Sequence, residues 1–155
     1  MNGNACAMHA VDNGEMTGPD FVLEQAYLRT TYVADDRSGP IPLRIGEPST
    51  RLDDLLRETA CTCWAFISAW NPASQRLSEV ENAARHAALL ARVRELGLPF
   101  RSGRGVADDG GWVEESLLIL GLSAVDAIRL GRAFGQNTVV VGCRGGLAEL
   151  KWCLT

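Results

Sequence analysis

A mixed α+β fold is predicted by three features of this 155-residue sequence. Apolar and polar residues alternate from Trp64 to Trp70 with the two-residue period of a strand. A helical pattern follows from Glu79 to Leu96, opened by the capping box Ser78-x-x-Glu81 and closed by Gly97. Beyond it, stretches of strand and helix character come in the order strand, strand, helix, strand, with one further strand at the end.

Taken along the chain, residues 1–20 are rich in small and polar residues. They are interrupted by Gly3, Gly14, Gly18 and Pro19, and a flexible leader is expected there. Residues 21–155 are expected to form a single α+β domain, with an appendage over 21–60 and a core over 64–153. Phe21 to Tyr32 reads as a short helix passing into a strand, Thr30 to Ala34. The turn Asp35-Asp36-Arg37-Ser38-Gly39 leads to a strand from Ile41 to Ile45, which Pro40 and Pro42 mark as an edge. Ser49 or Thr50 caps a helix over Leu52 to Thr59, with Asp53 and Asp54 in its first turn, where the helix dipole favours negative charge.

In the core, a strand is expected over Phe100 to Val106, a turn at Asp108-Asp109-Gly110-Gly111, and a strand from Trp112 or Val113 to Leu120. Ser123 opens a second helix that ends at Gly135. The strand Thr138 to Val141, a glycine turn at Gly145-Gly146 and the strand Leu147 to Cys153 complete the chain. The order β-α-β-β-α-β with a closing strand is ferredoxin-like, preceded here by an amino-terminal strand-helix appendage.

Side-chain parity divides the first core strand into two unlike faces. Ala65, Ile67 and Ala69 share one, which suits closely packed helices, and Trp64, Phe66, Ser68 and Trp70 share the other. With helices on one side only, the aromatic face needs a cover: the appendage, another subunit or a ligand. The long helix has a small apolar side, Val80, Ala84, Ala87 and Ala91, nearly opposite a bulky one, Leu89, Val93 and Leu96, and burial on both sides is expected. Asn82 and Arg85 lie on the bulky side and are expected to point towards Asn71. Gly131, inside the second helix, is expected where that helix packs closely on the sheet.

The formal charge of -4 opposes attraction to nucleic acid and to anionic membranes. No apolar run approaches the roughly 20 residues needed to span a bilayer, and the first residues lack the basic start and apolar core of a secretory signal. A cytoplasmic protein without nucleic-acid or membrane partners is expected. Five cysteines, an odd count, suit reduced structural thiols better than a disulfide framework. Only His9 and His86 could join them at a zinc site, so no metal and no cofactor are expected.

Trp112, Glu114 and Ser116 share one strand face, while Val113, Glu115, Leu117 and Ile119 share the other. The adjacent carboxylates diverge, which argues against a paired acid/base dyad. A glutamate at the mouth of a buried strand can accept a proton through a raised pKa, or bind a ligand hydroxyl or ammonium; a solvated strand end is the plain alternative. Glu114 and Glu115 are the candidate catalytic residues on this basis. Ser68, Trp70, Asn71, Asn82, Arg85, Trp112 and Gln136 are the candidate ligand-binding set, an aromatic wall beside amide and guanidinium donors. Ser68, Ser74 and Ser116 lack a histidine or lysine at a diagnostic spacing, which disfavours serine or cysteine hydrolase chemistry. Gly103-x-Gly105 and Gly142-x-x-Gly145-Gly146 do not lead into a helix amino terminus, so neither is a phosphate loop.

The blocks Trp64-Ala65-Phe66-Ile67-Ser68-Ala69-Trp70-Asn71-Pro72, Leu77-Ser78, Glu81-Asn82, Arg85, Glu114-Glu115-Ser116-Leu117-Leu118 and Leu130-Gly131-Arg132-x-Phe134-Gly135-Gln136-Asn137 resemble a bacterial family catalogued as domain of unknown function 3293. The likeness runs from about Thr30 to Trp152. A fainter one covers roughly Trp64 to Trp152. Ser68-Ala69-aromatic, Asn82-x-x-Arg85-His86 and Glu114-Glu115 before an apolar strand are similar in order and spacing to phage S-adenosylmethionine lyases. Those enzymes are trimers of ferredoxin-like, PII-like subunits that cleave their substrate, between subunits, to methylthioadenosine and homoserine lactone. The resemblance implies that Glu114 or Glu115 takes the place of the acidic active-site residue, and that Ser68, Asn82 and Arg85 line or support the cleft. The appendage is a departure from that pattern.

Two functions are expected from different classes. In the first, the chain binds a small nucleoside-like molecule related to S-adenosylmethionine, with catalysis left open. In the second, it is a non-enzymatic interaction or oligomerisation module whose aromatic face binds a protein or copies of itself. RNA binding by the sheet ranks below both, because the basic-aromatic motif is missing from Trp112 to Leu120.

Overall fold

The structure, a computed structural model, describes residues 19–153, so the expected leader lies outside the described residues up to residue 18. The elements in order are α1 (Pro19–Leu28), β1 (Thr30–Asp36), β2 (Gly39–Leu43), α2 (Thr50–Glu58), β3 (Cys63–Ser68), a short 3-10 turn (Pro72–Ser74), α3 (Glu79–Leu96), β4 (Phe100–Ala107), β5 (Val113–Leu120), α4 (Ala124–Ala133), β6 (Thr138–Cys143) and β7 (Glu149–Trp152). The helix starts follow from side-chain caps. Ser49, Ser78 and Ser123 accept hydrogen bonds from the backbone N–H groups of Leu52, Glu81 and Asp126. Ser78 also donates to the Glu81 carboxylate at 2.9 Å, completing the capping box.

Seven strands among the described residues form one antiparallel sheet in the order β2-β1-β4-β5-β3-β6-β7. The sheet is curled so far that its two edges touch. Ile45, just past β2, bridges Ala148, just before β7. The Gly46 N–H donates to the Ala148 carbonyl at 2.8 Å, and the Ala148 N–H to the Glu47 carbonyl at 3.2 Å. The proline-marked edge strand therefore meets the opposite edge instead of facing solvent along its whole length.

The curl separates two apolar clusters, and strand parity assigns residues to them. Outside it, Ala65, Ile67 and Ala69 pack with Leu117, Ile119, Val139 and Val141 against Leu89 and Val93 of α3 and Ala127 and Leu130 of α4. Inside it, Trp64 and Phe66 pack with Tyr32, Leu118, Leu120 and Val140 against Leu52, Leu55 and Leu56 of α2. Trp64 and Phe66 are each only 3% exposed. Of the three covers considered for the aromatic face, the appendage is the one in place over these two rings.

Two strand glycines make room for them. Gly142 stands opposite Trp64 on β6, where a Cβ would lie 2.7 Å from the indole ring. At Gly103 a Cβ would lie 2.5 Å from the Val33 carbonyl oxygen and 2.8 Å from the Phe66 ring. Gly131 likewise lets α4 approach the sheet, since a Cβ there would meet Val139 at 2.6 Å and Cys153 at 2.8 Å.

One expectation about α3 is corrected. Val80 is 81% exposed, and Ala84, Ala87 and Ala91 are exposed with it, so the small side faces solvent. Alanines there serve helix propensity and not burial. On the bulky side Leu89 and Val93 are fully buried, while Leu96 in the last turn is partly exposed. No helix among the described residues is long and apolar enough to cross a membrane.

Phe66→Ala should cost about 3 to 5 kcal/mol, because it empties a ring-sized space between α2 and the sheet. Val80→Ala should change stability by less than about 0.5 kcal/mol. Urea unfolding of the two variants beside the parent chain checks both values, and equal midpoints would contradict the packing described.

Candidate functional site

The site begins where β3 stops. The Ser68 hydroxyl donates to the Glu115 carbonyl at 2.8 Å and accepts from the Trp70 N–H at 3.0 Å, which turns the chain away from the ladder before Trp70. Asn71 then takes a left-handed backbone conformation, φ 45° and ψ 62°, which asparagine tolerates better than most residues. Ala73 and Ser74 follow with φ of 54° and 59°. A left-handed alanine is unfavourable by itself and persists only where neighbours impose it.

Those neighbours are the polar residues singled out in the sequence. The Arg85 guanidinium donates to the Ala69 carbonyl at 2.7 Å and to the Phe134 carbonyl. Gln136 donates to the Trp70 carbonyl at 3.0 Å, the Ala73 N–H donates to the Gly135 carbonyl at 2.8 Å, and Asn137 donates to the Ser74 hydroxyl at 2.9 Å. The turn after β3 is thereby latched to the loop between α4 and β6.

A second set of bonds fixes the Asn71 side chain. Asn82, only 3% exposed, accepts from the Asn71 backbone N–H and donates its own amide to Asn71 Oδ1, both at 2.9 Å. The Leu77 N–H donates to the same oxygen at 3.0 Å. With Oδ1 occupied, Asn71 Nδ2 is directed at Glu114 Oε1, 2.9 Å away. The order of control runs from Asn82 through Asn71 to the carboxylate.

Glu114 faces a cavity of about 610 Å³, within the range of small-molecule sites. Aromatic walls come from Tyr27 of α1, Tyr32 of β1, Phe66 of β3, Trp70 and Trp112. Polar lining comes from Ser68, Asn71, Asn82, Ser116, Gln136 and Asn137, with Arg76 and Glu79 also among the lining residues. Ser68, Trp70, Asn71, Asn82, Trp112, Glu114 and Gln136 of the sequence-derived set are thus brought to one cavity.

Arg85 and Glu115 are not among its lining residues. Arg85 is engaged by two carbonyls beneath the turn, and Glu115 is exposed on the opposite face of β5, as parity requires. Tyr27, Tyr32 and Phe66 were absent from the candidate set. Phe66 has the parity of Ser68 and Trp70, a signal the sequence holds. The approach of α1 and β1 depends on tertiary packing and leaves no local trace.

Burial pushes the Glu114 carboxyl above its usual value of 4.5, and the Asn71 hydrogen bond only partly opposes this. Burial also pushes the Tyr32 hydroxyl up, with Tyr27 and Glu114 adding to the effect. Trp70 Nε1 is buried without a hydrogen-bond partner among the described residues. The arrangement can hold a planar ring between aromatic faces and a hydrogen-bond donor or cation at Glu114. Among the described residues, no three His, Cys, Asp or Glu side chains gather as metal ligands.

Asn82→Ala should cost about 1 to 3 kcal/mol, since the Asn71 N–H loses its acceptor and Asn71 Oδ1 loses a donor. Denaturant unfolding, with hydrogen exchange at Asn71, tests this. Glu114 also carries a pH signature. The folded carboxyl holds its proton more tightly than the unfolded one, so stability falls as pH rises from about 4.5 through the folded-state value. Glu114→Gln removes that part of the fall. The variant should gain on the parent chain across this window, the difference between them then staying constant above it, and urea midpoints between about pH 4 and pH 8 measure the change.

Comparison with known proteins places the site within a recognised segment. The model of a family described as protein of unknown function (DUF3293) matches residues 67–139, from within β3 to the first residues of β6. The matched stretch holds Ser68, Trp70, Asn71, Asn82, Arg85, Trp112, Glu114, Glu115 and Gln136, and leaves out α1, β1, β2 and α2. No curated protein and no solved structure matches the chain. Over residues 67–139, the chain is similar to the family described as protein of unknown function (DUF3293).

Proposed function

We propose that the cavity binds a small nucleoside-like molecule, with S-adenosylmethionine and its relatives the first candidates. One observation carries this reading: a half-buried carboxylate, Glu114, is oriented by an amide relay inside a cavity walled by Trp70, Trp112, Tyr27, Tyr32 and Phe66. A purine ring gains area and stacking from such walls. A sulfonium or ammonium is favoured both by the carboxylate and by the negative faces of aromatic rings.

If the chain is an enzyme, Glu114 is the group that accepts a proton or stabilises positive charge. Glu115 has no such opening, and Arg85 supports the site from beneath. The likeness to the lyases supports the choice of probe. We read β4-β5-β3-β6 with α3 and α4 as a ferredoxin-like unit, supported by the strand order and the antiparallel pairing. A cytoplasmic location is part of the same reading.

Thermal-shift and calorimetric titration with S-adenosylmethionine, methylthioadenosine and adenosine test the proposal. At least one should bind, and Glu114→Gln should weaken binding of the cationic probe by about ten- to a hundredfold, the loss of one charge-assisted contact. Trp112→Ala should weaken all three probes together, because it removes part of a shared aromatic wall. No binding of any probe by the folded parent chain would overturn the reading.

A further inference from the structure

At the end of β3 remote from Ser68, two thiols stand opposite one another. Cys63 opens β3, Cys143 closes β6, and the two are direct register partners. The adjoining pair shows which kind of position this is. The Arg144 N–H donates to the Thr62 carbonyl at 2.8 Å, so Thr62 and Arg144 form a hydrogen-bonded pair. Hydrogen-bonded and non-hydrogen-bonded pairs alternate along an antiparallel ladder, which makes Cys63 and Cys143 a non-hydrogen-bonded pair. Such pairs have Cα atoms about 4.5 Å apart, with both side chains on one face, and this separation falls inside the span a disulfide bridges.

We propose that Cys63 and Cys143 form a reversible cross-strand disulfide, a redox modification site separate from the cavity. Both are free thiols in the structure. Cys143 is exposed, whereas Cys63 is partly covered and burial holds its thiol up, with Cys143 and Cys61 nearby adding to the effect. These properties divide the roles. The Cys143 thiolate attacks a low-molecular-weight disulfide, forming a mixed disulfide and releasing one small thiol. Cys63 then attacks the Cys143 sulfur, closing the protein disulfide and releasing the second small thiol. The protein loses two electrons and two protons, and the small disulfide is reduced to two thiols.

Cys61 is the nearest competitor, but it lies before β3 and packs against the inner cluster, whereas Cys63 shares the outer face with Ala65. The expectation of reduced structural thiols describes the same pair before exchange.

The test incubates the reduced full chain with oxidised glutathione and follows it by intact mass, thiol titration and tryptic peptide mapping. The expected product has lost two titratable thiols and two hydrogens, with peptide 58–76 linked to peptide 133–144. Fragment ions should place the link on Cys63 and not Cys61, and dithiothreitol should restore both thiols. Cys61→Ser should keep the link, and Cys63→Ser and Cys143→Ser should lose it. A link through Cys61, glutathione adducts without an internal bridge, or no reaction in the folded parent chain would each overturn the proposal.

Discussion

Everything in this molecule is arranged around the need to cover two aromatic rings on one face of β3. Trp64 and Phe66 project from the side of the sheet away from α3 and α4, and water contact with both would forfeit several kilocalories per mole. Gly142 on the neighbouring β6 and Gly103 on β4, one strand beyond β5, leave the rings room to lie on the sheet, and the leucines of α2 close over them. Wrapping the sheet around this cluster draws the end of β2 to the start of β7. The amino-terminal segment is therefore half of the inner core and no accessory to it.

The cavity follows from where that cover ends. Phe66, Tyr32 and Val140 belong to the inner cluster and also line the cavity, whereas no residue of α2 does. Beyond the reach of the α2 leucines, the same sheet face continues into Ser68 and Glu114, and the space is bounded by Trp70, Trp112 and α1. Inner core and site are two stretches of one surface, filled by side chains at one end and open at the other.

At the open end stands the left-handed turn after β3, whose Asn71 and Ser74 line the cavity. Three non-glycine residues with positive φ within four positions, Asn71, Ala73 and Ser74, are unfavourable locally, at about 1 to 3 kcal/mol each. The turn holds because Arg85, Gln136, Asn137 and Asn82 all bond to it. Polar residues that look like ligand contacts in the sequence thus have a first duty to the backbone. That duty sets the direction of the Asn71 amide and, through it, of the Glu114 carboxylate. The family match over residues 67–139 covers the turn, its latches and the carboxylate together.

Local chemistry made much of this legible in the sequence. The capping serines marked where α2, α3 and α4 begin, and alternation separated Glu114 from Glu115 and Trp64 from Ala65, because caps and parity act within a few residues. The alanine stripe of α3 misled, since alanine serves a solvent-facing helix as well as a buried one. Arg85 was readable only in part: its helix face is set by local spacing, but the carbonyls that engage it belong to Ala69 and Phe134, one on either side of it and distant in sequence. By itself, the sequence determined the elements, their order and the side of each strand that carries chemistry. Only the tertiary structure decided that α2 covers the aromatic face, that α1 borders the cavity and which polar groups are left facing it. Those outcomes depend on contacts between segments far apart in the chain, which no local period or cap encodes.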